Sequence, residues 1–246
     1  MSDDKVYDLL QRTKKELMYE NRFHMNDEFK KYLDRFIEQK TYMTTIEEGE
    51  ILFRARLYLE DDQYEKYRNP PKTTFQGYDK ENSFVNSSGN VKEGRINPIF
   101  IPYLYVSTTI EGAMVEVRPY ADTLISVAEI KVLKDLNIID FSKNLGLSSG
   151  INGEFESALF LYINWEFSKP CYKDGDYLLL QYISEYIKLK GFDGVMYTSA
   201  FSRNILPQIK SYKNIAIFNY SNCEAINSKL YMIDKVDLIY RDINQR

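Results

Sequence analysis

The sequence has few of the residues on which most hydrolases depend. His24 is its only histidine, and Cys171 and Cys223 are its only cysteines. Ser-His-Asp and Cys-His catalytic sites, and most zinc sites, need histidine, so histidine-based catalysis is disfavoured. The two cysteines lie far apart, in no metal-ligand spacing, and they give no disulfide framework. We therefore expect a protein of the reducing cytoplasm, with no metal and no bound cofactor.

The sequence also lacks a basic excess, a long apolar run and the glycine-rich loops of common nucleotide-binding folds. Its net charge is −4, so direct binding of DNA or RNA, which favours basic surfaces, is not expected. No apolar segment approaches the length of a membrane span, and the polar start Met1-Ser-Asp-Asp-Lys5 does not resemble a signal peptide. P-loop and Rossmann motifs are missing, which disfavours those sites.

The beginning of the chain has a helical pattern. Residues 4–20 and 27–39 predict two helices, and Asn26 or Asp27 can cap the second. Five apolar residues of the second helix recur on one face: Phe29, Tyr32, Leu33, Phe36 and Ile37. A polar segment at 41–49 predicts a joint. We place a boundary there, between an N-terminal helical segment at 1–48 and a second domain at 49–246.

After the joint, short strands alternate irregularly with helices. In the strand predicted at 51–58, Phe53, Ala55 and Leu57 face one way and Arg54 and Arg56 the other. The long segment 69–98, rich in Pro, Asn, Ser and Gly, predicts a functional or disordered loop. Further strands are predicted at 102–107, 124–132, 193–198 and 215–219, and one more strand or a hairpin at 229–240. Helices are predicted at 109–117, 154–167 and 176–190. Without a regular βαβ repeat, this order predicts an α+β fold.

Three segments carry a recognisable set of residues. They are Gly94-Arg-Ile-Asn-Pro98, Ile101-Pro-Tyr-Leu-Tyr-Val-Ser107 and Glu111-Gly-Ala-Met-Val-Glu-Val-Arg-Pro119. Their order and spacing resemble the RES domain, which has a Gly-Arg-x-Asn turn, a strand ending in Leu-Tyr and a helix carrying a Glu. The family's C-terminal part is matched by Gly191-Phe-Asp-Gly-Val-Met-Tyr-Thr-Ser199 and Asn214-Ile-Ala-Ile-Phe218, so the resemblance spans residues 50–220.

The resemblance implies a set of working side chains. It gives catalytic roles to Arg95, Tyr105 and Glu116, and substrate-binding roles to Arg54, Ser199 and Asn214.

Some assignments have alternatives. Tyr103 lies two residues before Tyr105 and is a second candidate for the family's tyrosine. Family members commonly have Tyr-Pro-Ser-x-Arg, whereas this chain has Tyr197-Thr-Ser-Ala-Phe201, so Ser202 is a substitute for Ser199. Periodicity places Glu111 and Glu116 on opposite flanks of one helix and does not choose between them.

The resemblance also implies a fold and an activity. RES domains are similar to ADP-ribosyltransferase toxins, so we expect a mixed β-sheet core preceded here by the N-terminal helices. They act as toxins that deplete NAD, which makes NAD the substrate. A fixed carboxylate can stabilise the oxocarbenium-like state of nicotinamide–ribose cleavage. An arginine can hold the pyrophosphate and a tyrosine ring can stack on nicotinamide.

Other functions fit the same residues. The ADP-ribosyl group released from nicotinamide could be transferred to water, to phosphate or to a macromolecule. A non-catalytic nucleotide-binding module is another class of function. Without the resemblance, Glu116 would be read as a surface ion-pair residue and Tyr105 as a core aromatic. As partners, the resemblance implies a helix-turn-helix antitoxin, and the N-terminal helices could form a homo-oligomer contact.

Overall fold

The computed structural model describes residues 2–24, 26–59, 65, 68, 69, 71–85, 91–143, 153–169, 175–202 and 211–237. Its helices are α1 (Ser2–Tyr19), α2 (Asp27–Glu38), α3 (Lys80–Ser83), α4 (Ile110–Glu116), α5 (Glu154–Ser168) and α6 (Leu178–Leu189). Its strands are β1 (Met43–Ile46), β2 (Ile51–Leu57), β3 (Leu104–Ser107), β4 (Leu124–Val132), β5 (Leu136–Asp140), β6 (Gly194–Thr198), β7 (Lys213–Ile217) and β8 (Cys223–Met232).

The strands in the described ranges form one mixed sheet. Their order is β1-β5-β6-β7-β3-β2-β4-β8. Only β5 and β6 run parallel, and every other neighbouring pair is antiparallel. The helices do not alternate regularly with parallel strands, so the chain has an α+β fold, as the sequence predicts. Helices α1 and α2 precede the sheet, also as predicted.

The two faces of the sheet carry different cores. Helices α1, α2, α5 and α6 cover one face, where the large buried rings are Phe29, Phe36, Tyr42, Phe141, Phe160 and Phe167. The other face is mainly aliphatic, with Leu52, Leu104, Val106, Ile130, Ile138 and Ile215. Because successive side chains of a strand point to opposite faces, Tyr105 lies on the helix-covered face and Val106 on the aliphatic one.

Strands β2 and β3 separate near the middle of the sheet. In the described residues they share a single registered pair, Phe53 with Ser107. β2 pairs with β4 along its whole length, and β3 pairs with β7 along its whole length. β2 is therefore held by β4 and β3 by β7, while β2 and β3 diverge from each other beyond Phe53. The sheet is open at this point.

The helix predictions made from periodicity are confirmed. Helix α2 has the predicted buried face, and Asn26 caps it by accepting hydrogen bonds from the N–H groups of Glu28 and Phe29. Helix α6 ends before Gly191, which adopts a φ of +90°. The predicted strand at 124–132 is β4 with the same bounds.

Two predictions are wrong and one strand was missed. The segment 41–49, predicted as a polar joint, contains β1, which pairs with β5. Strand β5 was missed, because its buried residues fall on both faces and leave no clear alternation. The last strand begins at Cys223, six residues before the predicted 229, and ends at Met232; positions 238–240 of that prediction lie outside the described residues.

The division at residue 48 stays a prediction, although β1 of the predicted helical segment belongs to the sheet. Within the described ranges, no helix combines the length and apolar character needed to cross a bilayer.

Gly194 gives a test of the packing in the middle of the sheet. A Cβ at this position in β6 would overlap the carbonyl oxygen of Ala216 and a methyl group of Ile138. We expect Gly194→Ala to lower the free energy of unfolding by about 1–3 kcal/mol, because the backbone cannot move aside without strain. Gly153→Ala is the control, since a Cβ there meets no atom within 4 Å. Equal denaturant midpoints for both variants would contradict the close β6–β7 packing.

Candidate active site

Glu116, the last residue of α4, has one carboxylate oxygen fixed by two side chains from distant parts of the chain. Its Oε1 accepts a hydrogen bond from Ser199 Oγ at 2.6 Å and another from Asn214 Nδ2 at 2.6 Å. Ser199 and Asn214 are buried, whereas Glu116 is exposed to solvent. Among the described residues, none donates to Oε2. The carboxylate is therefore fixed in place and still accessible.

Helix α4 reaches this position because it packs closely on the sheet. Thr109 caps the helix by accepting a hydrogen bond from Gly112 N at 3.0 Å. Gly112 has no room for a side chain, since a Cβ would overlap Ser107 Oγ of β3. This close contact carries Glu116 to the place where β3 and β7 face the helix.

The two donors to Glu116 lie at the ends of neighbouring strands. Asn214 is in β7, opposite Tyr197 of β6. Ser199 follows β6 directly, after Thr198. Helix α5 holds this strand end, because Asn164 Oδ1 accepts from Thr198 N at 3.1 Å. The position of the Glu116 carboxylate thus depends on strand pairing and on α5.

Tyr105, in β3, uses its hydroxyl group to hold a turn. Its Oη accepts hydrogen bonds from Ile96 N and Asn97 N, both at 3.1 Å, and donates to Asn97 Oδ1 at 2.8 Å. Burial raises the pKa of Tyr105 to about 12, so the hydroxyl stays protonated at neutral pH. The hydroxyl is therefore committed to the turn, while the ring borders the cleft described below.

The turn held by Tyr105 carries Arg95. Gly94 N donates to Asn97 O at 3.0 Å and closes the turn. The half-buried Arg95 directs Nη1 to the carbonyl oxygen of Phe167, at the end of α5. Burial raises the pKa of Tyr105 and of Tyr197, and the positive charge of Arg95 opposes the rise at both. The positive charge of Arg95 therefore acts on both tyrosines.

A cleft of about 190 Å³ lies where β2 and β3 separate. It is lined by Phe53, Arg54, Ala55, Tyr105, Val106, Ser107, Ala113, Glu116, Val117, Tyr197 and Asn214. The accessible carboxylate of Glu116 therefore shares a small opening of the sheet with three aromatic side chains, Phe53, Tyr105 and Tyr197.

A comparison with protein families matches residues 67–239 to the RES domain. The chain belongs to the RES domain family. The matched range covers most of the sheet and contains Arg95, Tyr105, Glu116, Ser199 and Asn214. Arg54 lies before it. A comparison with curated proteins found no match.

Four of the six residues implied by the resemblance line the cleft: Arg54, Tyr105, Glu116 and Asn214. Ser199 is outside the lining and is joined to it by its hydrogen bond to Glu116. Arg95 is also outside the lining, on the turn that Tyr105 holds.

Arg54 borders the cleft, but its guanidinium is engaged on the other face of the sheet. It follows Leu52 of the aliphatic core by two residues, and its Nη1 donates to Ser83 O at 3.2 Å. Burial, together with the charge of Arg56, lowers the pKa of Arg54 to about 10. Both arginines line a second pocket of about 750 Å³ that includes α3. A substrate-binding role for Arg54 stays a prediction.

The alternative assignments differ in their surroundings. Tyr103 donates to Glu185 of α6 and is outside the lining of the cleft between β2 and β3. Glu111 is also outside that lining. The side chain of Ser202 lies outside the described residues. Tyr105 and Glu116 therefore line the cleft whereas Tyr103 and Glu111 do not, and Ser199 contacts Glu116 through a hydrogen bond.

Sequence reasoning missed the roles of Tyr197 and Gln181. Tyr197 borders the cleft, and Gln181 bonds to the Arg95 turn from α6. Gln181 had a visible signal, because a lone amide in the apolar run 178–183 needs a buried partner. Within the described part of the chain, no group of three or more His, Cys, Asp or Glu side chains is placed to hold a metal ion.

Tyr105→Phe tests the structural role of the hydroxyl. The change leaves two N–H groups of the Arg95 turn without their acceptor, so we expect the free energy of unfolding to fall by about 1–3 kcal/mol. Tyr120→Phe is the control, since Tyr120 is 71% exposed, and its change should stay within about 0.5 kcal/mol. Chemical denaturation measures both. Equal stability of the two variants would show that the turn does not depend on Tyr105.

Proposed function

We propose that this RES protein cleaves the bond between nicotinamide and ribose in NAD. The observation that carries the proposal is the carboxylate of Glu116, which is fixed through Oε1 and accessible through Oε2 beside the cleft. Loss of nicotinamide leaves positive charge on the ribose ring, as in other glycosidic cleavages. A carboxylate that is already in place stabilises this charge without reorganising during the reaction.

The proposed reaction needs no histidine and no strong general acid. Nicotinamide is cationic in NAD, and it takes the electrons of the breaking C–N bond and leaves as a neutral base. Water then adds to the ribose carbon and loses a proton, giving ADP-ribose. If phosphate adds instead, the product is a ribosyl phosphate ester. The sequence, with His24 as its single histidine, is compatible with either product.

The cleft accommodates only the reacting end of the substrate. Its volume of about 190 Å³ is below the roughly 300–1,000 Å³ typical of pockets that enclose a whole ligand. We place nicotinamide and its ribose there, beside Tyr105 and Tyr197, so that the diphosphate extends outward. Arg95 lies outside the cleft lining and uses one N–H group on Phe167 O. No second acceptor for it occurs among the described residues, so we assign its remaining donors to the diphosphate.

We also propose the biological role that the family resemblance implies. Depletion of NAD would make the protein a toxin, and a helix-turn-helix antitoxin would be its partner.

Glu116→Gln tests the proposed activity. Purified protein is incubated with NAD, with and without inorganic phosphate, and released nicotinamide is separated by chromatography. Glutamine keeps an acceptor for Ser199 and Asn214 but loses the charge, so we expect the rate to fall by about 10²–10³-fold. Glu111→Gln removes a charge from the same helix outside the cleft and should stay near the unmodified rate.

The outcomes separate the possible reactions. ADP-ribose as product indicates hydrolysis, and a phosphate-dependent product indicates phosphorolysis. Label from adenine-labelled NAD on a macromolecule would indicate transfer instead. No nicotinamide release by the unmodified protein, or full turnover by Glu116→Gln, would overturn the proposal.

A further inference from the structure

Gln181 is a buried polar residue in an otherwise apolar part of α6. Its neighbours Leu179, Leu180 and Ile183 are at most 1% exposed, and Gln181 itself is 8% exposed. A buried amide without partners would destabilise the helix packing, so its contacts show what it does there.

The Gln181 amide bonds to the turn that carries Arg95. Its Nε2 donates to Gly94 O at 2.9 Å and to Asn97 O at 3.2 Å. These carbonyls flank Arg95 on both sides in the sequence. Asn97 O also accepts from Gly94 N, so one amide group bonds to both ends of the closed turn.

The turn is therefore held from two directions. Tyr105 binds it from β3 through the N–H groups of Ile96 and Asn97, and Gln181 binds its carbonyl groups from α6. Gly94 packs closely against the same groups, because a Cβ there would overlap Asn97 Oδ1 and lie 2.9 Å from Tyr105 Oη. With the backbone fixed on both sides, the Arg95 side chain starts from a defined position.

We propose that Gln181 is a positioning residue that sets the Arg95 turn for binding of the NAD diphosphate. This inference rests on the proposed function. Neither Gln181 nor Arg95 lines the cleft. The proposed function places the diphosphate outside it, at Arg95, so Gln181 acts on the substrate through the turn that carries Arg95. Its amide orders the turn before NAD arrives, which lowers the entropy lost when the guanidinium binds the phosphates.

Gln181→Met tests the proposal, because methionine keeps the length and helix preference of glutamine and removes both N–H donors. We expect the KM for NAD to rise about tenfold with kcat nearly unchanged, since diphosphate binding is equal in the ground state and the transition state. Ser184→Ala is the matched control. Ser184 is a buried polar residue of the same helix, and among the described residues its Oγ bonds within the helix, to Leu180 O. Its KM should not change.

A double-variant cycle separates positioning from simple stability. Arg95→Ala should raise KM, and adding Gln181→Met to it should raise KM little further, because the turn then has no guanidinium to position. A purely structural role would give additive losses. If Gln181→Met does not fold, Gln181→Asn supplies the same measurement, because its shorter amide cannot reach both carbonyls.

The results that would overturn the inference fall into two kinds. If the unmodified protein turns over NAD while the folded Gln181 variant keeps the same KM, or if the two substitutions have additive effects on KM, the role of Gln181 alone is overturned. Absence of nicotinamide release by the unmodified protein would overturn the proposed function and this inference with it.

Discussion

The site depends on the two hydrogen bonds that Ser199 and Asn214 donate to one oxygen of Glu116. The three residues come from α4, from the end of β6 and from β7, so the bonds form only when these elements are assembled. The buried donors fix Oε1 and leave Oε2 without a donor among the described residues. A carboxylate in this state can face developing positive charge without first moving, which is the feature the proposed chemistry needs.

The end of α5 links the two halves of the site. Asn164 of α5 holds Thr198, next to Ser199, and Phe167 accepts a hydrogen bond from Arg95. The end of α5 therefore contacts both the strand end that carries Ser199 and the side chain of Arg95. Phe160 and Phe167 of α5 are buried in the core on the helix-covered face of the sheet, which fixes this helix in place.

The sequence predicts the parts of this arrangement that depend on local pattern. Helix α2 follows from its apolar face and from the cap at Asn26. It does not predict what depends on distant partners. Helical periodicity does not distinguish Glu111 from Glu116 as the site carboxylate. What distinguishes Glu116 is its hydrogen bonds from Ser199 and Asn214, which lie 83 and 98 residues further along the chain. Strand β5 has no alternating pattern, because its buried residues fall on both faces. The family resemblance implies that the Tyr105 ring stacks on nicotinamide, whereas the role of its hydroxyl depends on a turn that only the folded chain places beside it.

The most direct test of the central claim is the effect of Ser199→Ala on nicotinamide release in two backgrounds. If Ser199 acts by orienting the Glu116 carboxylate, the substitution lowers kcat in the otherwise unmodified protein with little change in KM. In a Glu116→Ala background it then causes little further loss, because the group that it orients is gone. An equal loss in both backgrounds would contradict the account.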